Sequence, residues 1–157
     1  MNKFKLIAIA ILAMVSTAKA DWWSDFSITP FGSATHPNLG KAEYGSGLDV
    51  GYFINKTVSL HLANSAYQHN TWRGPAIDET SLLVRADLIR SSTERFVAYT
   101  LGGVDRSWEH SDYAFGVGLG GEVRLSKNIS AGIDSRIRAW FKADKDVTTR
   151  GYLSFRF

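Results

Sequence analysis

Cysteine is absent from all 157 residues. Export normally permits disulfides, so something other than cross-links must hold this small fold together. Long apolar runs are equally scarce. After Val15 no segment approaches the roughly 20 apolar residues that a spanning helix needs, which excludes a helical membrane protein. Excess charge is the third shortage. The chain is formally +3, with 18 basic and 15 acidic residues. Lys3, Lys5 and Lys19 lie in a segment that is expected to be removed, and what remains has 15 of each sign. The basic isoelectric point therefore carries no argument for nucleic-acid binding.

That removable segment is residues 1–20. Lys3 and Lys5 precede an unbroken apolar run from Leu6 to Val15, and Ala18-Lys19-Ala20 is a small-x-small cleavage site. The combination reads as a secretory signal peptide cut after Ala20. Residues 21–157 are then one domain.

Within that domain the apolar pattern has period two, not 3.6. Tyr113, Phe115, Val117, Leu119, Val123 and Leu125 share one face, opposite Ala114, Gly116, Gly118, Gly120, Glu122 and Arg124. Ile129, Ala131, Ile133, Ile137, Ala139 and Phe141 oppose Ser130, Gly132, Asp134, Arg136 and Arg138. Val147, Leu153, Phe155 and Phe157 oppose Thr148, Arg150, Ser154 and Arg156. Weaker alternation marks strands around Phe26–Pro30, Leu48–Tyr52, Val58–Leu62 and Leu82–Leu88. The stretch Phe96–Asp105 is apolar on both faces and its sides stay unassigned. The count is eight strands.

Short turns are expected at Asn55-Lys56, Ser91–Glu94 and Ser126–Asn128. Longer connections are expected near Ala34–Gly45, Gln68–Glu79, Arg106–Asp112 and Lys142–Asp146. Short-long alternation with an even strand count points to an all-β, eight-stranded, antiparallel up-and-down barrel in an outer membrane. In that frame the short turns and both chain ends face the periplasm. Trp22, Trp23, Phe26, Phe53, Phe155 and Phe157 cluster at one strand end, and Trp72, Trp108, Tyr113, Trp140 and Phe141 at the other, as two interfacial girdles would. A soluble sandwich, with apolar faces packed inward, is the competing reading.

The ending Gly151-Tyr152-Leu153-Ser154-Phe155-Arg156-Phe157 resembles the C-terminal assembly signal of bacterial outer-membrane proteins. The stretch Tyr99–Arg138 is similar to small barrels of the outer membrane protein A and opacity-protein type. The resemblance implies outer-membrane localisation, contact with outer-membrane lipids, and recognition of Leu153, Phe155 and Phe157 by the barrel-assembly machinery. It specifies a fold well and a function poorly. The wall-binding domain of full-length outer membrane protein A is not matched, so wall anchoring is not implied. A monomer without cofactor or nucleic-acid partner is expected.

Candidate chemistry lies on the inward face. Asp49, Asp87, Glu122 and Asp134 oppose Arg85, Arg124, Arg136, Arg138, Arg150 and Arg156. The bore of an eight-stranded barrel is just wide enough for side chains to fill. These charges are thus expected to pair as a plug. The alternative is a narrow pore, anion-leaning because bases outnumber acids in this set. Gly116, Gly118, Gly120 and Gly132 would make room for the guanidinium groups. His36, His69 and His110 fall in three different loops without carboxylate or cysteine partners at ligand spacing, so no metal site is expected. With Trp72, Arg73 and Trp108 they form a candidate outer recognition surface, the adhesin or receptor reading. His61 lies beside Ser59, with Ser65 further along. The His-x-Ser-Asn motif of lipid A deacylase barrels is not matched by His61-Leu62-Ala63-Asn64. Residues two apart on a strand are also ~6.6 Å apart, far for a nucleophile–base pair. No catalytic residue is assigned on that basis.

Overall fold

The computed structural model describes residues 25–67 and 78–157. The expected leader lies outside them, as do Trp22, Trp23, His69, Trp72 and Arg73.

Eight strands follow one another: β1 (Phe26–Pro37), β2 (Glu43–Phe53), β3 (Val58–Tyr67), β4 (Glu79–Arg90), β5 (Phe96–Ser107), β6 (Asp112–Arg124), β7 (Ile129–Trp140) and β8 (Asp146–Arg156). Each pairs antiparallel with the next, and β8 returns to β1, so the sheet closes into a barrel. At 10 to 13 residues the strands are long enough to cross a hydrocarbon layer when tilted. No helix among the described residues is long and apolar enough to do so.

The alternation read from the sequence is the alternation of exposure, but turned inside out relative to a soluble protein. Val117 is 69% exposed and Leu119 64%. Among the described residues only seven apolar side chains are buried, against 21 polar or charged ones. A sandwich with an apolar interior would show the reverse. The arrangement is stable only where the outside is hydrocarbon and the polar interior satisfies itself.

β5 receives its sides here. Val97, Tyr99, Leu101, Asp105 and Ser107 are buried in the bore, while Phe96 and Val104 are exposed. The loops differ from expectation. β1 continues to Pro37 and β2 begins at Glu43, so the first loop is residues 38–42. The third is residues 108–111 and the fourth 141–145, no longer than the turns at 54–57, 91–95 and 125–128. Only the connection containing residues 68–77 is long. The strand ends are polar ladders that hydrophobic alternation does not detect: Thr35 pairs with Thr148, and Arg138 with Asp146.

Two irregularities interrupt the ladder. The register slips between Asp87 and Ile89 on β4, leaving Leu88 and Ile89 both facing out at 60% and 65% exposure. On the closing seam, β1 pairs with β8 at Ser27 and Ile28 and resumes at Phe31. Pro30, which has no N–H to donate, lies in the gap, whereas its pairing to Leu48 of β2 is uninterrupted. Phe157 N donates to Phe26 O at 3.1 Å and so extends the seam at its short-turn end.

Candidate functional site

The bore is filled by four arginine-centred clusters, each drawing partners from several strands. Nearest the short-turn end, Arg85 (β4) donates through Nε to Asp87 at 3.0 Å and through Nη1 to Glu122 (β6) at 2.6 Å. Its guanidinium lies 3.9 Å over the Tyr99 ring. Deeper, Arg150 (β8) grips Asp134 (β7) with two bonds of 2.9 and 2.8 Å and reaches Asp49 (β2) at 3.6 Å. Next, Arg136 (β7) meets Asp105 (β5) at 3.1 and 3.4 Å, and Ser81 donates to the same carboxylate. Nearest the loop end, Arg138 (β7) holds Asp146 (β8) with bonds of 2.7 and 2.8 Å and Glu79 (β4) with one of 2.7 Å. Two-pronged arginine–carboxylate pairs are the strong kind, because both planar groups are fixed by the same contact.

Between these clusters the bore retains two small cavities. One opens toward the short turns and the other lies toward the loops, and Phe31 and Arg150 line both. Phe31 and Arg150 thus stand between the two cavities. Glycine supplies the room. A Cβ on Gly118 would lie 2.6 Å from Arg136 Cγ, and one on Gly116 3.1 Å from Arg138 Cγ. Gly120 and Gly132 serve other side chains than the expected guanidinium groups: a Cβ on either would fall 2.3 Å from the ring carbons of Tyr99 or Tyr152.

His61 stands in the same interior. Its Nε2 lies 2.9 Å from Ser59 Oγ, and its Nδ1 2.9 Å from Asp49 Oδ1. The backbone spacing that argued against a Ser59–His61 contact is overcome by side-chain reach across one face of β3. The connectivity is that of a hydrolytic Ser-His-Asp array. Its setting is not: Ser59 is 1% exposed and does not line the cavity, and the flanking backbone amides belong to a closed ladder. An acyl carbonyl has neither access to Oγ nor free amides to hold its oxyanion. The chain of bonds instead fixes the imidazole between two strands.

Of the expected lumen residues, Asp49, Arg85, Asp87, Glu122, Asp134, Arg136, Arg138 and Arg150 sit in these clusters. Arg124 and Arg156 lie apart at the short-turn mouth. Among the described residues Arg124 pairs only with Glu94, at 3.4 Å, and Arg156 stacks 3.6 Å over Phe53. Deeper in the lumen and at its loop end, Glu79, Asp105, Asp112 and Asp146 are buried too and went unrecognised in the sequence. Asp105 lies on the strand whose faces look alike, and the other three lie at strand ends assigned to loops. Counting back by twos from Arg85 reaches Glu79, and from Arg150 reaches Asp146. With them, eight carboxylates face seven arginines once Arg90, which donates to Asp87 at 2.6 Å, is included. The excess of bases on which the anion-leaning pore rested is gone.

Two aromatics expected in the girdles turn inward. Phe53 packs near His61, and Trp140 donates to Asp146 at 2.7 Å. At the loop end His36 belongs to β1, not to a loop, and contacts Gly40 O at 3.2 Å, while His110 contacts Ser107 at 3.4 Å. The described residues contain no cluster of three metal-ligating side chains. Trp108 is 48% exposed, donates to Thr80 at 2.9 Å and carries Arg106 3.9 Å over its ring. Leu153 and Phe155 face outward on β8, and Phe157, just past its end, is exposed as well.

Neisserial surface protein A aligns with 85% of this chain and 97% of its own, at a TM-score of 0.63 and 12% identity. The N-terminal β-barrel domain of Pseudomonas aeruginosa OprF aligns with 83% and 97%, at 0.60 and 14%. Ail, the attachment invasion locus protein of Yersinia pestis, aligns with 84% and 96%, at 0.52 and 16%. No family model matches the chain, and no curated protein sequence matches it. The fold is the eight-stranded transmembrane barrel of the bacterial outer-membrane type. Identities this low carry the fold alone.

Proposed function

We propose that the protein is a small integral outer-membrane barrel with a structural or surface-interaction role and a lumen sealed by salt bridges. The observation that carries the reading is the pair of two-pronged contacts, Arg150–Asp134 and Arg136–Asp105, stacked across a bore already narrow for eight strands. Planar-bilayer recording tests it. The native protein should show no steady conductance. Replacing Arg150 and Asp134 together with Ala, which leaves neither charge alone, should open one. Steady conductance through the native protein would overturn the seal.

Location in the outer membrane follows from the apolar exterior and the fold. The assembly machinery is the proposed reader of Leu153, Phe155 and Phe157, lipids are the proposed surroundings, and the barrel is proposed to act as a monomer. Surface interaction is favoured by Trp108, a half-exposed ring pinned at the loop end between Thr80 and Arg106. Rigid aromatics of this kind are enriched at binding hot spots. Trp108→Ala should reduce attachment of cells to a host surface without lowering the amount of folded barrel. Hydrolysis is not proposed. Ser59 should resist a fluorophosphonate probe, and labelling that Ser59→Ala abolishes would revive it.

A further inference from the structure

We propose that the short-turn mouth of the lumen binds a small oxyanion of the phosphate or carboxylate class. The site does not depend on whether the barrel conducts. It is the cavity below Arg85, lined at its entrance by Lys127 and Asn128 of the β6–β7 turn and by Ser27, Arg124 and Arg156.

The charge balance there differs from that of the deeper lumen. Arg85, Arg136, Arg138 and Arg150 each have a carboxylate partner at 3.1 Å or less. Among the described residues, Arg156 and Lys127 have none within ion-pair distance. Arg124 has only Glu94, whose carboxylate is 61% exposed, and solvated pairs of this kind are weak. The acids lining the same cavity are already engaged: Glu122 by Arg85, Asp49 by His61, and Asp134 by Arg150. Glu122 acts on Arg156 as well as on Arg85, so Arg124, Arg156 and Lys127 share that one acid and the exposed Glu94, and the mouth carries an excess of positive charge. Arg156 is also held for use. Stacking over Phe53 fixes the plane of its guanidinium and leaves the N–H edge available to a planar or tetrahedral acceptor.

Ser27 provides the independent observation. It is 1% exposed, it lines this cavity, and its Oγ has no hydrogen-bond partner. A buried polar atom without a partner calls for a group to satisfy it. Ser27 and Arg156 are direct register partners across the β1–β8 seam, so their side chains project together into the mouth. A hydroxyl donor and a guanidinium side by side, with Lys127 above, form a set of donors that an oxyanion would accept from. The cavity measures about 40 Å³, space for about three waters or for one group of phosphate size.

The test uses the full-length processed protein, folded in a phosphate-free alkyl glucoside detergent. Inorganic phosphate is titrated at constant ionic strength, and the Arg156 side-chain N–H resonance is followed by NMR. A saturable shift in the millimolar range or tighter is expected, with chloride giving none. Lys127→Gln, on an exposed turn where folding is not at stake, should weaken the apparent Kd at least threefold. Arg156→Gln should weaken it at least tenfold, read by calorimetry. Lys41→Gln, exposed in the first loop at the opposite end of the barrel, should leave it unchanged. A non-saturable response, an equal response to chloride, or undiminished binding in both mouth variants would overturn the site. In vesicles doped with phosphatidic acid, the lipid should not compete with free phosphate, because the mouth faces the bore. Competition would support the site and make a lipid headgroup its source.

Discussion

Arg138 is the residue on which most of the loop-end lumen converges. It is 1% exposed and touches carboxylates from β4, β5 and β8, with Asp105 as the third at 3.7 Å. Arg138→Ala would strand Glu79 and Asp146 in a bore with little water. Breaking a buried pair costs about 3–5 kcal/mol, and urea unfolding in lipid vesicles should show a loss in that range. Glu122→Ala should cost less, because Arg85 keeps Asp87 at 3.0 Å. Equal losses would mean that water, not the partner, satisfies these arginines. A different mechanism governs Gly132→Ala. The added methyl would meet the Tyr152 ring and also the Gly121 carbonyl at 2.7 Å. Overpacking of this sort costs about 1–3 kcal/mol.

At the scale of strands, the outward face of β6 offers the cleanest control. Val117→Arg puts a charge in lipid and should cost roughly 2–4 kcal/mol near the midplane. A harmless Val117→Arg would deny that this face meets hydrocarbon at all. On β8, Phe157→Ala should lower the amount of folded protein in the membrane while leaving the unfolding free energy of what does fold little changed. Elements such as β6, β7 and β8 were legible because each has one apolar and one charged or small face, and period two then fixes every side chain at once. β5 was not, since Val97, Leu101 and Tyr99 give its inner face the same apolar look as its outer one. Strand ends were lost for a related reason: Thr35, Glu79 and Asp146 are polar because they face the lumen, yet polarity at an element boundary reads as loop. The Ser59–His61–Asp49 chain was missed because separation along a strand does not register how far side chains reach, nor that β2 brings Asp49 alongside.

For the whole molecule, the decisive property is that exterior and interior are exchanged. The protein should therefore fractionate with the outer membrane, and its unheated form should migrate differently from its boiled form on a gel. Recovery wholly as soluble periplasmic protein would refute the membrane reading, since the exposed apolar belt could not persist in water. The near balance of lumen charges bears on selectivity as well. A channel opened by removing Arg150 and Asp134 together should show no marked preference for anions, as measured by its reversal potential in a salt gradient.

Pro30 adds a dimension of time. Within sheets, proline belongs on strands that have a free edge, yet in the finished barrel β1 has a neighbour on both sides. The hydrogen bond it cannot supply is the one it would owe to β8, not to β2. β1 is thus built like an edge, which is what it must be until the last strand arrives. The expected order of events is that the seven pairings between neighbours along the chain form first and the circle is joined last, along a line one bond short. Amide exchange on folded barrels should accordingly be fastest at the middle of that seam, with Ile28 and Gly32 opening before their counterparts on β6.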